Sequence, residues 1–443
     1  MDTVYPVLNR LTNSPRSGYN LTMYRRLIAQ PLEDALADSP VVLVNGARQT
    51  GKTTLVKSLS KHGATRAYFT FDDAAVLSAA QSDPAGFLAG LAGPVTLDEV
   101  QHVPALFPAL KAAVDTRRDS GRFLLTGSAN VLLLPRLSES LAGRMEILTL
   151  WPLAQVEIEG GDGFGNNVVD RLFASDALPV ALPALTRPDL IRRLLGGGFP
   201  EPLARTAEGR RCAWFGSYLS TILQRDVRDL ANIEGLTTMP RLLSLLAART
   251  GSLLNLADIS RTTGLPYTTL NRYMVLLEAT FLIQFLPAWS ANLGWRLVKS
   301  PKLLLSDTGL AANLLGVTAR RIAEDGTLLG SLLETFVALE LRKSAGAAET
   351  AVQMFHYRTQ SGLEVDILLE NGLGELVGVE VKAAASVSSS DFAGLRSLAE
   401  AVGGRFVRGV VLYTGSQIIP FGERLHAVPL SLLWHTGETE QPA

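Results

Sequence analysis

The sequence predicts an α/β protein in three parts: an N-terminal parallel sheet around a phosphate-binding loop, a helical middle with a helix–turn–helix or winged-helix pattern, and a second α/β unit at the C-terminus. Three observations predict it. A strand, a G-x-x-x-x-G-K-T loop and a helix follow one another over residues 41–59. A helix, a glycine turn and a second helix lie within 253–283. Two strand patterns at 364–369 and 376–382, joined by the hairpin signal Asn371-Gly372-Leu373-Gly374, carry acidic residues and a lysine. The expected boundaries are 1–160 for the first part, 161–250 for a linker and helical region, 251–290 for the helix–turn–helix, and 291–436 for the last.

The bulk numbers permit this organisation. The chain has 443 residues, 47% of them hydrophobic and 19% charged, so several packed cores are expected and disorder is not. A formal net charge of −1 excludes a global pull toward nucleic acid; any such contact needs a local patch. Cys212 is the single cysteine, which excludes an internal disulfide and a thiolate metal cluster and fits a reducing compartment. The first residues lack a charged-then-apolar leader, and no apolar run is long enough to cross a bilayer. The expectation is a cytoplasmic protein without a membrane partner.

Val41-Val42-Leu43-Val44 is a β-branched apolar run, as a buried parallel strand requires. Gly46-Ala47-Arg48-Gln49-Thr50-Gly51-Lys52-Thr53 follows, then Thr54-Leu55-Val56 with helical spacing. This is the context in which the pattern is a P-loop, and it predicts a P-loop NTPase sheet binding ATP. The glycines let backbone N–H groups close around phosphate, Lys52 reaches the β- and γ-phosphates, and the Thr53 hydroxyl ligates Mg²⁺.

A second strand, Pro94-Val95-Thr96-Leu97, ends in Asp98-Glu99. Asp98 is the candidate Mg²⁺ holder, and Glu99 the carboxylate that orients the attacking water. A third strand, Arg122-Phe123-Leu124-Leu125, runs into Thr126-Gly127-Ser128-Ala129-Asn130, where Ser128 or Asn130 suits a γ-phosphate sensor and the same residues equally suit a turn. Arg144 is a candidate arginine finger or a surface arginine.

Residues 160–196 read as a linker rich in Gly, Asn and Pro followed by a helix, and 210–232 and 238–249 as helices. In the helix–turn–helix pattern Arg261 and Arg272 are offset by Asp258 and Glu278. That balance favours packing or protein contact over DNA reading.

In the last part, Glu380 and Lys382 are two apart on one strand and share a face, with Asp366 on the paired strand reaching it. Two carboxylates holding a divalent metal beside a lysine suit phosphodiester hydrolysis of DNA or RNA. Glu334 on the preceding helix pattern is the further carboxylate; the same residues also suit an exposed charged edge. The arrangement resembles the D…E-x-K site of restriction-endonuclease-like nucleases.

Taken together, the chain resembles AAA-type (AAA_14) ATPases that carry a C-terminal DUF4143 domain. The carrying residues are 46–53, Leu-Asp-Glu-Val-Gln at 97–101, Leu-Thr-Gly-Ser at 125–128, Leu-Ala-Gly-Arg at 141–144, Gly-Gly-Phe-Pro-Glu at 197–201, Ser-Asp-Thr-Gly-Leu at 306–310, and the pairs at 364–366 and 380–382. The resemblance implies an ATPase core, a helical and winged-helix middle and a restriction-endonuclease-like α/β end. Cores of this type often need a neighbour's arginine, so a homo-oligomer is an expectation, with Arg144 the candidate for that role. Residues 286–443 hold 13 Lys and Arg against 16 Asp and Glu, so nucleic-acid binding by this part alone is expected to be weak. The two functions expected are therefore an ATPase with an ATP-gated nuclease, or a nucleotide-switched regulator with an inactive nuclease fold.

Overall fold

The computed structural model describes residues 24–435 apart from 63–65, 129–140, 142, 161, 175–177, 179–181, 228–237, 293, 295 and 297–298. Its N-terminal sheet contains β1 (Val41–Asn45), β2 (Ala67–Thr70), β3 (Val95–Asp98), β4 (Phe123–Gly127) and β5 (Met145–Thr149) in the order β2-β3-β4-β1-β5. Every neighbouring pair is parallel. Parallel strands need cover on both faces, and β1 shows it. Val41 and Leu43 pack with Leu97, Phe107, Leu110 and Leu125, while Val42 and Val44 pack with Leu32, Leu55, Val56 and Leu124. All five strands point the same way, so Asn45, Asp98 and Gly127 end at one edge of the sheet, where ligands of open α/β sheets bind.

In the middle, the helices Arg187–Gly196, Glu208–Thr221 and Met239–Ala247 precede Leu256–Thr263 and Tyr267–Ala279. The last two are joined through Gly264, whose φ of 74° closes the turn. They lead to β6 (Ile283–Leu286), paired antiparallel with β7 (Lys302–Leu305), and Leu253 bridges to Lys302. The stretch read as a linker is partly a packed helix, Val168–Phe173. Asn167 caps it by accepting from the Val169 amide, and it buries Val168, Val169 and Leu172. Two turns are too short to show periodicity. The helix read as 210–232 gives way to a π-helical turn at Ile222–Val227, and its end lies outside the described residues.

The C-terminal sheet is mixed: β8 (Val352–Arg358), β9 (Glu364–Asn371), β10 (Leu376–Val381), β11 (Phe406–Tyr413), β12 (Ile419–Gly422) and β13 (Leu425–Pro429), in the order β12-β13-β11-β10-β9-β8. The helix Gly326–Ala345 packs Phe336, Val337 and Leu341 into the cluster holding Ile367, Leu369, Val377 and Val379. The helix Ala393–Val402 packs Leu395 and Leu398 with Leu368 and Leu376.

The parts are sewn together by buried polar groups. Asp307, just past β7, accepts from the Gly198 amide at 2.7 Å and the Leu310 amide at 2.8 Å. Gly197 has φ 63°, and a Cβ there would lie 2.2 Å from Asp307 Oδ1, so only glycine fits. The Gly-Gly-Phe-Pro-Glu and Ser-Asp-Thr-Gly-Leu motifs are thus two halves of one joint. Nearby, Glu340 Oε2 accepts from the Gln155 amide at 2.7 Å, and Lys343 donates to the Leu153 carbonyl at 2.9 Å. Among the described residues no helix is long and apolar enough to cross a membrane.

Candidate functional site

The loop between β1 and the helix Lys52–His62 is shaped by backbone that few residues tolerate. Gly46 has φ 145° and Gly51 φ 96°, and Gln49 is left-handed at 63°. A Cβ on Gly46 would lie 2.2 Å from the Leu150 carbonyl oxygen. Lys52 donates to the Gly46 and Ala47 carbonyls, both at 2.8 Å, so its ammonium sits inside the curl of its own loop. Thr50 Oγ1 donates to the Ala47 carbonyl at 3.0 Å. From outside, Arg26 donates to the Thr50 carbonyl and the Trp151 carbonyl, both at 2.7 Å, and pairs with buried Glu157 at 3.1 Å.

Thr53 and Asp98 meet at the loop mouth, with the hydroxyl 2.9 Å from Asp98 Oδ2. Sequence reasoning missed two further partners of Asp98. Tyr68, on β2, donates to Oδ2 at 2.6 Å, and Thr126, on β4, donates to Oδ1. Burial and the Asp98 charge hold the Tyr68 phenol well above its ordinary pKa, which keeps it a donor. Glu99 is left-handed at φ 63°, and its amide donates to Thr126 Oγ1 at 3.0 Å. Ser128 lies beside it at the end of β4. Asn130 is outside the described residues.

A cavity of about 880 Å³ opens next to the loop, lined among others by Tyr24, Arg25, Gln49, Thr54, Glu201 and Trp214. Thr54 is exposed on that side. Arg48 is half-buried on the loop.

Arg144 takes another position. It directly precedes β5, which runs parallel to β1, so it sits at the sheet edge opposite the phosphate loop. There it pairs with Asp115 at 2.5 Å. Strand direction rules out a contact with the chain's own bound phosphate, because the length of β5 intervenes.

In the C-terminal part, Asp366, Glu380, Lys382 and Glu334 come together with a residue that sequence reasoning missed, Lys302. Its ammonium is 2.5 Å from Glu334 Oε1 and 3.4 Å from Asp366 Oδ1, and its side chain is 6% exposed. Asp366 Oδ2 accepts from the Val381 amide at 3.0 Å, and Lys382 donates to Glu380 Oε1 at 3.1 Å. The cost of burying three carboxylates, which the sequence assigns to a metal, is here offset in part by two lysines. Burial and the Asp366 charge push Glu334 up to about 7 and Glu380 up to about 8. For Lys302 burial acts downward, and the Glu334 and Asp366 charges outweigh it and raise the pKa. Among the described residues, no three of His, Cys, Asp and Glu are grouped so as to hold a metal ion.

A parallel sheet with order β2-β3-β4-β1-β5, a P-loop after β1 and an acid pair after β3 defines a P-loop nucleotide-binding core. Family models match in three segments: an AAA domain (AAA_14) over 38–159, a domain of unknown function (DUF8612) over 187–321, and a domain of unknown function (DUF4143) over 329–433. The chain is 33% identical over 419 residues to the uncharacterized protein Rv2008c of Mycobacterium tuberculosis, spanning 94% of this chain and 86% of that one. The same figures hold for the uncharacterized protein Mb2031c of Mycobacterium bovis. The chain belongs to the family of AAA-type P-loop ATPases that carry a C-terminal DUF4143 domain.

Among solved structures the chain is similar to the Walker-type ATPase PABY2304 of Pyrococcus abyssi, at TM-score 0.38 and 15% identity over 65% of this chain and 94% of that one. It is also similar to the RuvB Holliday junction branch migration motor of Thermotoga maritima, at TM-score 0.28 and 19% identity over 58% and 88%. Likenesses this distant carry no argument about activity.

Proposed function

We propose that the chain hydrolyses ATP at the P-loop. The observation that carries the reading is the meeting of Lys52, Thr53, Asp98, Glu99 and Ser128 at one edge of the sheet. The triphosphate takes the curl between Gly46 and Thr53, and Lys52 turns its ammonium from the loop carbonyls to the phosphate oxygens. The nucleoside lies in the adjoining cavity. Thr53 and Asp98, one hydroxyl and one carboxylate 2.9 Å apart, fit Mg²⁺ and would hold it. Bound there, Mg²⁺ supplies positive charge against the phosphate oxygens. Glu99 orients the attacking water, and Ser128 hydrogen-bonds the terminal phosphate. Arg144 serves the site of a second copy, making the active form a homo-oligomer. The test is phosphate release from ATP with Mg²⁺ for wild type, Lys52→Ala and Glu99→Gln. Turnover lost in both variants supports the reading; turnover that survives Lys52→Ala refutes it.

A second reading concerns the C-terminal cluster, which we propose is a restriction-endonuclease-like site for DNA or RNA phosphodiesters. It rests on Glu380 Oε2, a buried oxygen without a hydrogen-bond partner. With Asp366 beside it, this oxygen fits a divalent cation, and the two carboxylates would hold one. The cation would polarise the scissile phosphate. Lys382 stabilises charge on the attacking or leaving oxygen, and Glu334 holds Lys302 in place. The helix–turn–helix with its β6–β7 pair is read as a winged helix. Cleavage of nucleic acid that is abolished by Asp366→Asn, with ATP turnover intact, supports the nuclease. Nucleotide-dependent binding without cleavage replaces it with a regulator built on an inactive nuclease fold.

A further inference from the structure

Resting on the ATPase reading, we infer that Gln101 is the positioning residue that holds the Glu99 carboxylate and ties it to Ser128. Glu99 begins a single 3-10 turn, Val100–His102, which swings Gln101 back over the end of β4. Both ends of its amide are used there. Nε2 donates to Glu99 Oε2 and, at 3.0 Å, to Ser128 Oγ, while Oε1 accepts from the Ser128 amide at 3.2 Å. The Glu99 backbone is separately anchored by Thr126. One carboxylate oxygen is therefore fixed from the side, leaving the other for a water.

A carboxylate on a left-handed residue at a strand end has free torsions, and water activation depends on its direction. Gln101 removes that freedom. It also gives the terminal phosphate a route to Glu99. A hydrogen bond formed by the Ser128 hydroxyl is felt by the same amide nitrogen that holds the carboxylate. Gln101 acts through Glu99 and Ser128.

The experiment measures ATP turnover and labelled-ATP binding on the full chain for Gln101→Met, which keeps volume and removes both polar ends, and for Gln101→Glu. The expected result for Gln101→Met is a kcat drop of about tenfold or more, with KM and nucleotide affinity within about twofold. Adding Ser128→Ala to Gln101→Met should cost less than Ser128→Ala costs in the wild type, since the phosphate contact is lost in both backgrounds but the link to Glu99 is already broken in one. In Gln101→Glu the carboxylate repels Glu99 instead of donating to it, so kcat should fall at least as far while nucleotide affinity stays within about twofold, a split that a purely structural role would not give. Unchanged kcat in both variants, with Lys52→Ala inactive, overturns the role of Gln101 and leaves the ATPase reading standing. Strictly additive losses with Ser128→Ala also overturn it. Wild type without turnover overturns the ATPase reading and this inference together. If Gln101→Met does not fold, Gln101→Glu alone decides through its split between kcat and nucleotide affinity.

Discussion

Glu380→Gln should stabilise the protein above neutral pH. Folding moves this carboxyl from an ordinary 4.5 to about 8, first by burial and then by the Asp366 charge. Lys382 reaches only Oε1, and Oε2 has no partner. A carboxyl raised by folding contributes stability that is complete below about 4.5 and is lost as pH climbs to about 8. At pH 8.5 the wild type has lost it, whereas glutamine keeps the shape and never ionises. At roughly 1.4 kcal/mol per pH unit the ceiling is about 5 kcal/mol. Asp366 and the two lysines share and relax the charge, so about 2–3 kcal/mol is the expected gain. Urea unfolding followed by tryptophan fluorescence reads it, since Trp289 and Trp434 are buried in this part. The gain should shrink to well under about 1 kcal/mol at pH 5. A variant less stable than wild type at pH 8.5 would show that Glu380 is a stabilising partner of Lys382, and the burial argument would fail.

Lys302→Met should cost about 3–5 kcal/mol at pH 8, because Glu334 and Asp366 lose their cation and Glu334, already raised with Lys302 beside it, must take up a proton or stay buried as an unpaired charge. Adding Glu334→Gln should recover part of that loss in urea unfolding, and no recovery would refute the pairing. Gly46→Ala should abolish binding of labelled ATP, because the new methyl meets the Leu150 carbonyl; affinity within about threefold of wild type would contradict the loop geometry. Arg26→Gln leaves Glu157 on the Leu27 and Ala154 amides without its cation and releases the Thr50 carbonyl, so a loss of about 3 kcal/mol in unfolding and weaker ATP binding are expected together. Arg144→Ala and Lys52→Ala, each inactive alone, should regain turnover when mixed if Arg144 works across subunits. No regain at any mixing ratio rejects that role.

The phosphate loop was legible because its chemistry is local: residues 46–53 carry glycines, lysine and hydroxyl within one turn. Glu99 was legible for the same reason, but the groups that hold it were not. Thr126 reaches its amide from a neighbouring strand, Ser128 is joined to it only through Gln101, and Gln101 looks like any polar residue until the 3-10 turn folds it back. Tyr68 depends on β2 lying beside β3, which only sheet order reveals. Arg144 shows the reverse case. Its motif was readable, while the direction of β5 decides which site it can serve. In the C-terminal cluster the carboxylates announced themselves by spacing on paired strands. Lys302 could not, since it lies on another sheet and enters from the side. A buried triad of acids with too few nearby cations was the one signal that something was missing.

Lys302 belongs to the segment matched at 187–321, whereas Glu334 and Asp366 belong to the one matched at 329–433. The cation and the acids it neutralises therefore lie on segments matched by different family models. A chimera joined between residues 321 and 329 would take its acids from one parent and its lysine from the other, and would keep these buried charges balanced only where both parents carry the pair. The same strand that carries Lys302 ends next to Asp307, the anchor of Gly198. One residue inserted within β7 would turn the lysine to the other face or pull the anchor out of its joint. The length of this strand is thus constrained, and it should tolerate substitution at Leu304 far better than any change in the number of residues.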